Sequence, residues 1–587
     1  MSTPDRRWQP RREKESLTAH KLKAFTDAGM SPVLAQVLHN RGLADPASAT
    51  QFLCIKDTLY NPLGRDTELK DARAAAARLL EAIKRREKIV VYGDFDADGV
   101  TSTALLVEVL RGLGADVEPY IPHRVDEGYG LNTEALKKLA ADGAKVVVTV
   151  DCGIRSVKEV EDGKAAGLVM IVTDHHSIGP EIPQAHAVVN PKQQDCPYPE
   201  AMLAGVGVAY KLASALLQLR YKDHKPASER QRLIREALVS VQDLVAIGTV
   251  ADLAPLDRPE NRALVRMGLD ALNRAQRRGV RALLEVCGVE PGQVTAMTIG
   301  FALGPRINAA GRLDSALLAY NLLTASDDET ALLLAQALQA LNVERQELTR
   351  AAQGAIRSQL EAGDAADAPL IFAQGEFQPG IVGLVAGRLA EEFYRPAVVM
   401  ELGATESRAS CRSIPQFDIT AALDQVGDLL VRHGGHAQAA GLTVVNENIP
   451  ALKERLEAAA AAAFAVDPPQ RVLEYDAEVD LAMLTEALWE ELQQLEPTGH
   501  GSEKPVLVVR GVRLAERRTV GVDGQHLKLK LARAGQPPLD AIGFRLGERA
   551  RDLPDVVDIA CQLDMNEWNG SRSLQLLVQD IKAAGEA

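Results

Sequence analysis

The sequence is short of three things. Its six cysteines, Cys54, Cys152, Cys196, Cys287, Cys411 and Cys561, lie far apart with no C-x-x-C pair, which argues against a zinc ribbon or a disulfide framework and fits a reducing compartment. No apolar run is long enough to span a bilayer and no signal peptide opens the chain, so a soluble cytoplasmic protein without a membrane partner is expected. Positive charge is also outnumbered, 66 Lys and Arg against 80 Asp and Glu. A formal net charge of −14 removes bulk electrostatics as a reason to expect nucleic-acid binding, although a polyanion feels the local field rather than the total. At 587 residues, 46% hydrophobic and 25% charged, the chain is of ordinary soluble composition and too long for one core, so three or four domains are expected.

What is present concentrates in Lys88 to Thr103, KIVVYGDFDADGVTST. The apolar run Ile89 to Tyr92 predicts a buried strand. Three carboxylates follow at alternate positions, Asp94, Asp96 and Asp98, before Gly99 and a helix expected from about Thr101. Acids this close repel one another; bound cations are the ordinary resolution, and carboxylates suit hard ions such as Mg²⁺ or Mn²⁺. Taken alone, the motif also reads as an acidic turn after a strand.

Strand and helix then alternate: Val117 to Ile121 before a helix from Thr133, Ala144 to Val150 before a helix from Ser156, Leu168 to Val172 before a turn. That order predicts a parallel sheet covered by helices, whose ligands collect beyond the carboxyl ends of the strands. There the sequence places Asp151-Cys152-Gly153 and Thr173-Asp174-His175-His176. With the first three acids, three strands end in metal-ligand chemistry at one edge. Asp252, in DLVAIGTVADLAP, is a further carboxylate able to reach that edge, or by itself a capping or loop acid.

The segments VYGDFDADGVTST, TVDCGI, TDHH, VVNPK, LAGVGVAYKL and DLVAIGTVADLAPL, followed by GPRINAAGR and GGHAQAAGL, resemble the DHH phosphoesterase superfamily. Within it, their order together with HLKL and NEWNG near the C-terminus resembles the bacterial RecJ single-strand-specific exonucleases. The resemblance implies an α/β fold: a parallel-sheet DHH catalytic domain (71–326) joined by a long helix (327–362) to a smaller α/β DHHA1 domain (363–466). A C-terminal OB-like β-barrel (467–587) and an N-terminal arm with helices (1–70) complete it. The arm carries Arg6, Arg7, Arg11 and Arg12 and is expected to be a disordered terminus rather than a DNA clamp.

The resemblance also implies two divalent cations, Mn²⁺ or Mg²⁺, with Asp94, Asp96, Asp98, Asp151, His175 and Asp252 as ligands and Asp151 bridging. Asp96, Asp98, Asp151, His175 and His176 carry catalysis, His176 facing the phosphate, with Asp174 supporting the ligands or the metal itself. Arg124, Arg306, Asn308, Arg312, Ser410, Arg412 and His436 are the expected substrate contacts, since paired guanidinium hydrogen bonds suit a phosphate. Tyr129 is a candidate to pack under a base or to fill the core. In the barrel, Arg510, Arg513, Arg517, Arg518, Lys528 and Lys530 give local basicity, as a strand-holding groove needs.

The implied activity is metal-dependent 5′ to 3′ degradation of single-stranded DNA to 5′ mononucleotides in recombination and repair. A monomer working with a helicase or single-strand-binding protein is expected. A DHH phosphodiesterase acting on short oligonucleotides or signalling dinucleotides is the alternative, and a non-catalytic helicase scaffold a third reading. Two loops depart from the family pattern, Phe377-Gln378-Pro379-Gly380 and Pro497 to Pro505.

Overall fold

The structure, a computed structural model, describes residues 6–11, 17–54, 68–124, 127–128, 130–362, 368–533, 535–568 and 571–585; Arg12, Tyr129, Asn569 and Gly570 lie outside them. Two units divide the chain, one of residues 1–59 with 470–587 and one of residues 60–469.

In the first unit the opening segment is a strand, not a loose terminus. β1 (Arg7–Pro10) runs parallel to Val472–Tyr475. Trp8 explains it: its Nε1 donates to Asp580 Oδ2 at 2.8 Å, and Arg510 and Lys582 lie against the ring, so an apolar body and a polar tip are both satisfied. Three helices follow, Ala19–Asp27, Pro32–Asn40 and Pro46–Leu53, each opened by a capping side chain (Thr18, Ser31, Asp45). Phe25, Leu34, Leu38 and Phe52 share one core with the C-terminal strands, so the expected separate domain 1–70 is instead split, its first part belonging to the barrel. Strands Leu507–Val520, His526–Arg533, Gln536–Gly543, Ser571–Ala583 and Val556–Trp568 pair in that order, and the first also pairs with the last, closing the barrel. Its basic residues are partly spoken for: Arg510 meets Glu478 at 2.8 Å and Asp558 at 3.2 Å, Lys530 meets Glu516 at 3.1 Å, and Arg517 donates to the Leu553 carbonyl. The divergent loop near residue 500 is tied down by Arg41 to Ser502 and Arg11 to Glu503.

The second unit carries the parallel sheet: β2 (Lys88–Gly93), β3 (Val117–Tyr120), β4 (Ala144–Val150), β5 (Val169–Thr173) and β6 (Ala187–Val189), in the order β3-β2-β4-β5-β6. Both faces are buried, Ile89, Val91, Val146 and Val148 in one core and Val90, Tyr92, Val147 and Met170 in another. That two-sided burial is why these strands read as unbroken apolar runs. The helix after β2 begins at Ala97, a turn earlier than expected from Thr101, because Asp96 caps it: Oδ1 accepts from the Asp98 and Gly99 amides at 2.9 and 3.1 Å.

A 35-residue helix, Asp328–Ala362, about 50 Å long at 1.5 Å per residue, leads to the second sheet. Its strands are β7 (Ile371–Gly375), β8 (Ala397–Glu401), β9 (Glu406–Arg412), β10 (Leu430–His436) and β11 (Ala439–Val445). They lie in the order β10-β11-β9-β8-β7, and only the β7–β8 pairing is parallel.

Candidate metal centre and phosphate-binding wall

The strand ends deliver their acids to one rim. Gly93 at the end of β2 pairs with Val150 at the end of β4, so the turn of Asp94, Asp96 and Asp98 meets Asp151 directly. Three groups of side chains hold ligand atoms within 4.8 Å of one another: Asp94, Asp96 and Asp151; Asp151, His175 and His176; Asp98, His175 and Asp252. All seven residues expected to bind metal or act in catalysis are brought together. Absent side chains make the room. A Cβ on Gly205 would stand 2.6 Å from Asp151 Cβ, and one on Gly248 would stand 2.4 Å from Thr101 Oγ1 and 2.8 Å from Asp98 Oδ1. Asp151 itself sits at φ 61°, a left-handed conformation costly for a non-glycine residue and a mark of functional turns.

These acids are in environments that disfavour their charge. Burial, then the neighbouring carboxylates, push Asp94 and Asp151 well above the ordinary range, Asp98 up to about 7 and Asp252 up to about 9. Asp98 is the best compensated, accepting from the Gly205 and Val206 amides at 2.6 and 2.8 Å at the start of helix Gly205–Arg220, where a helix welcomes an anion. Asp252 is the opposite case. It caps the C-terminus of helix Gln242–Ala251, the negative end of the helix dipole.

Whether the group fits two cations is decided by what is left unpaired. Asp94 Oδ1, Asp151 Oδ1 and His175 Nε2 are buried with no hydrogen-bond partner among the described residues. His175 Nε2 lies 3.1 Å from Asp151 Oδ1 and 3.8 Å from Asp252 Oδ2. Burial, then the neighbouring His176, depress His175 to about 3, so its ring is neutral. The ring's one proton is used in the hydrogen bond to the Leu203 backbone, which leaves Nε2 as the lone-pair side; a lone pair facing a carboxylate oxygen is repulsive unless a cation lies between them, and buried orphaned acceptors of this kind are rare. Carboxylates with one imidazole are a donor set for Mn²⁺ or Mg²⁺.

Asp174 organises the histidine pair. Its Oδ1 accepts from the amides of His175 and His176 at 2.7 and 3.0 Å and meets His176 Nδ1 at 2.8 Å, while Oδ2 accepts from the Ile154 amide at 2.9 Å. It therefore serves as an orienting group. Burial works against a charge on His176, but the Asp174 carboxylate outweighs it and holds the imidazole above its ordinary pKa. Nδ1 is thereby engaged by Asp174.

Guanidiniums line the approach. Arg124 stacks over the Phe95 ring at 4.0 Å, its Nε buried without a hydrogen-bond partner among the described residues, and it feels Asp94 and Asp96. Arg312 is depressed to about 10 by burial and then by Arg124, Arg345 and Arg412. Four cations thus crowd one region. Arg312 Nη1 donates to the Gly380 carbonyl at 3.1 Å, and a Cβ on Gly380 would stand 2.1 Å from the Arg312 carbonyl oxygen, so the divergent FQPG loop still ends in a glycine that contact requires.

On the second sheet, Ser410 Oγ accepts from Arg412 Nη1 at 3.1 Å, and Gly383 leaves space beside both. Register places His436, Ala439 and Arg412 in one row across β10, β11 and β9, and Gly434, Gly441 and Ser410 in another. His436 is exposed on the edge strand, two strand spacings, roughly 10 Å, from Arg412 along the sheet.

Two expected substrate contacts face elsewhere. Asn308 Oδ1 accepts from the Ala97 amide at 2.8 Å, holding the acidic turn, and Arg306 is engaged by Gln339 Oε1 at 2.7 Å and the Ala302 carbonyl at 2.9 Å. Conversely, Lys192 and Arg345 are groups that sequence reading passes over. Lys192 feels Asp252 and Asp174, and Arg345 adds to the charge about Arg312. Lys192 ends the VVNPK segment, which was the signal; Arg345 lies within an ordinary polar helix and had none.

Family models match in three places: the DHH family N-terminal domain over residues 88–249, the DHHA1 domain over 367–462 and the RecJ OB domain over 475–580. The chain is 36% identical over 580 residues to the single-stranded-DNA-specific exonuclease RecJ of Bacillus subtilis, covering 98% of this chain and 70% of that protein. It is 36% identical to the Escherichia coli RecJ over 530 residues, covering 88% of this chain and 90% of that protein. The crystal structure of RecJ from Thermus thermophilus in complex with Mn²⁺ is similar with a TM-score of 0.82 at 33% identity, covering 99% of this chain and 80% of that one. With likeness of this extent to its relatives, and with a rim fit for two cations, the chain belongs to the RecJ family of single-stranded-DNA-specific exonucleases.

Proposed function

We propose that the protein degrades single-stranded DNA from its 5′ end to 5′ mononucleotides, using two divalent cations, in recombination and repair in the cytoplasm. The observation that carries this reading is the meeting of seven acids and histidines, three of their buried lone pairs unsatisfied, with a cluster of guanidiniums. Asp94, Asp96, Asp98, Asp151, His175 and Asp252 hold the cations, which when bound neutralise charge on the phosphoryl oxygens and favour ionisation of the attacking water. Arg124 and Arg312 grip the backbone beside the scissile phosphate. Arg412 with Ser410 receives the terminal 5′ phosphate.

Water attacks the phosphorus of the second nucleotide and the bond to the 3′ oxygen of the first breaks. The released nucleotide keeps its 5′ phosphate, and the shortened strand gains a new one. Each cut thereby regenerates the end that Arg412 recognises. His176, whose protonated form Asp174 favours, offers Nε2–H to the phosphoryl group as negative charge develops there. The protein acts as a monomer, supplied with single strands by a helicase or a single-strand-binding protein.

The test is purified full-length protein with Mn²⁺ on 5′-phosphorylated oligonucleotides. Mononucleotide release from single strands, with duplexes and Asp151→Ala inactive, is expected. Intact single strands, or faster turnover of dinucleotides than of long strands, overturns the assignment.

A further inference from the structure

The large unit holds a second concavity, of about 790 Å³, away from the acidic rim. Its floor is built on Arg277. Nε donates to Asp243 Oδ2 at 2.6 Å, Nη1 to Glu108 Oε2 at 2.8 Å and Nη2 to the Ser240 carbonyl at 2.8 Å. These bonds occupy two of the cavity's three acids, and the third, Glu236, pairs with Arg232 at 2.9 Å. Four more guanidiniums line the same space; Arg278 meets Asp328 at 3.3 Å, whereas Arg111, Arg235 and Arg274 have no acidic partner among the described residues. In a chain of net charge −14, a concavity with three uncompensated cations is an anion site by local field. Between the charges Val239, Ala271 and Ala325, each partly exposed, give it an apolar bed.

We propose that this cavity binds a nucleoside phosphate. The volume lies in the range of small-molecule sites, about 300–1,000 Å³. Guanidiniums on the rim match phosphate oxygens in paired, charge-assisted hydrogen bonds, and the apolar bed matches a base and sugar. An extended acidic peptide would use the charges but leave the apolar bed between them unfilled.

The position gives the site a route to the reaction centre. Helix Ala97–Gly112 carries Glu108 and Arg111 at this cavity and Asp98 at the metal rim; helix Gln242–Ala251 carries Asp243 here and is capped by Asp252 there. Glu108 and Asp98 are ten residues apart, about 15 Å along a helix. Arg277 pins the two helices together at the cavity end.

The experiment is calorimetric titration of ADP into the full-length protein, into R111A/R235A/R274A and into D151A, with pyrophosphate and an Asp-rich peptide as parallel probes. One-to-one ADP binding is expected, weakened at least about tenfold by the triple substitution, since each charge-assisted bond is worth more than a neutral one. D151A should bind ADP as the parent does, and pyrophosphate should bind at least about fivefold more weakly than ADP. The triple variant should keep the parent melting temperature and DNA cleavage, its side chains being exposed and outside the reaction centre. Absence of saturable binding, equal binding by the triple variant, loss of binding in D151A, or preference for pyrophosphate or the peptide would each overturn the proposal. None of these results depends on the nuclease assignment.

Discussion

The two sheets of the large unit carry their functional groups in different ways. In the parallel sheet every strand runs the same way, so Asp94, Asp151 and the Asp174-His175-His176 turn, each placed just after a strand, emerge at one rim by topology alone. In the second sheet function depends on register: Ser410 and Arg412 share a face because they are two residues apart, and His436 reaches their neighbourhood only through the β10–β11–β9 ladder. Groups converging at strand ends are buried and lie within hydrogen-bonding reach of several neighbours. Groups spread across a ladder are separable and more exposed. Damage to the first should be catastrophic, and damage to the second graded.

The largest effect is expected from Asp151→Ala, which removes a carboxylate shared by two of the three ligand groups. Cleavage of 5′-phosphorylated single strands should fall by on the order of 10³-fold or more, beyond what one preorganised donor contributes, as read by release of labelled nucleotide under saturating Mn²⁺. The same rim should dominate stability when chelator removes the cations. Asp252 has its folded-state pKa raised to about 9 from 3.8, so between those values the folded chain holds a proton that the unfolded chain has lost. Stability contributed by that proton is present at low pH and declines as pH rises through 9. Melting temperatures in EDTA should therefore fall from pH 5.5 to 8.5 more steeply than in Mn²⁺, and Asp252→Asn should flatten the EDTA curve. Parallel curves with and without cation would count against Asp252 as a ligand.

One step out, Asp174→Asn keeps the shape of the turn but weakens the anchor of His176. Loss of an orienting partner of this kind costs about 10- to 100-fold. Because Asp174 holds His176 above its ordinary pKa, its removal lowers that value. The alkaline limb of the kcat profile should then move toward lower pH. A fall in kcat with no shift of that limb would leave Asp174 a purely structural residue.

Arg412→Ala belongs to the graded class. Losing one charge-assisted contact, about 2 kcal/mol, raises KM near 30-fold for 5′-phosphorylated ends, with kcat little changed. Ends bearing a 5′ hydroxyl should be much less affected. Equal losses on both substrates would take Arg412 out of the terminal-phosphate site.

The same contrast decides what was legible from sequence. Parallel strands announce themselves as apolar runs, and a ligand set at strand ends is gathered whichever way the loops turn, so the meeting of the rim residues that follow β2, β4 and β5 could be read from the pattern of strand, acid and helix, whereas Asp252, by itself a capping or loop acid, joined them only through the family resemblance. Side-chain direction on helices was not legible. Asn308 and Arg306 stand two residues apart in GPRINAAGR, yet one faces the Ala97 amide and the other Gln339, a choice made by tertiary neighbours. The split of the first 70 residues was hidden because the partner of β1 lies more than 460 residues away, and only Trp8 hinted at it.

His436→Ala sets the lower end of the comparison. The residue is exposed on the outermost strand, and its backbone contact is the carbonyl that accepts from Thr420 Oγ1 at 2.8 Å. Removing the imidazole leaves that hydrogen bond, the register and the glycine row beside it intact. A solvated donor two strands from Arg412 contributes little beyond the roughly 1 kcal/mol of an ordinary hydrogen bond, so KM should rise less than about fivefold with kcat unchanged. The double variant with Arg412→Ala should show additive losses if the two act on separate phosphates, and less than additive losses if they share one. A fall in turnover as large as that expected for Asp174→Asn would mean that β10 reaches the reaction centre itself, and the division between a gathered rim and a distributed wall would no longer hold.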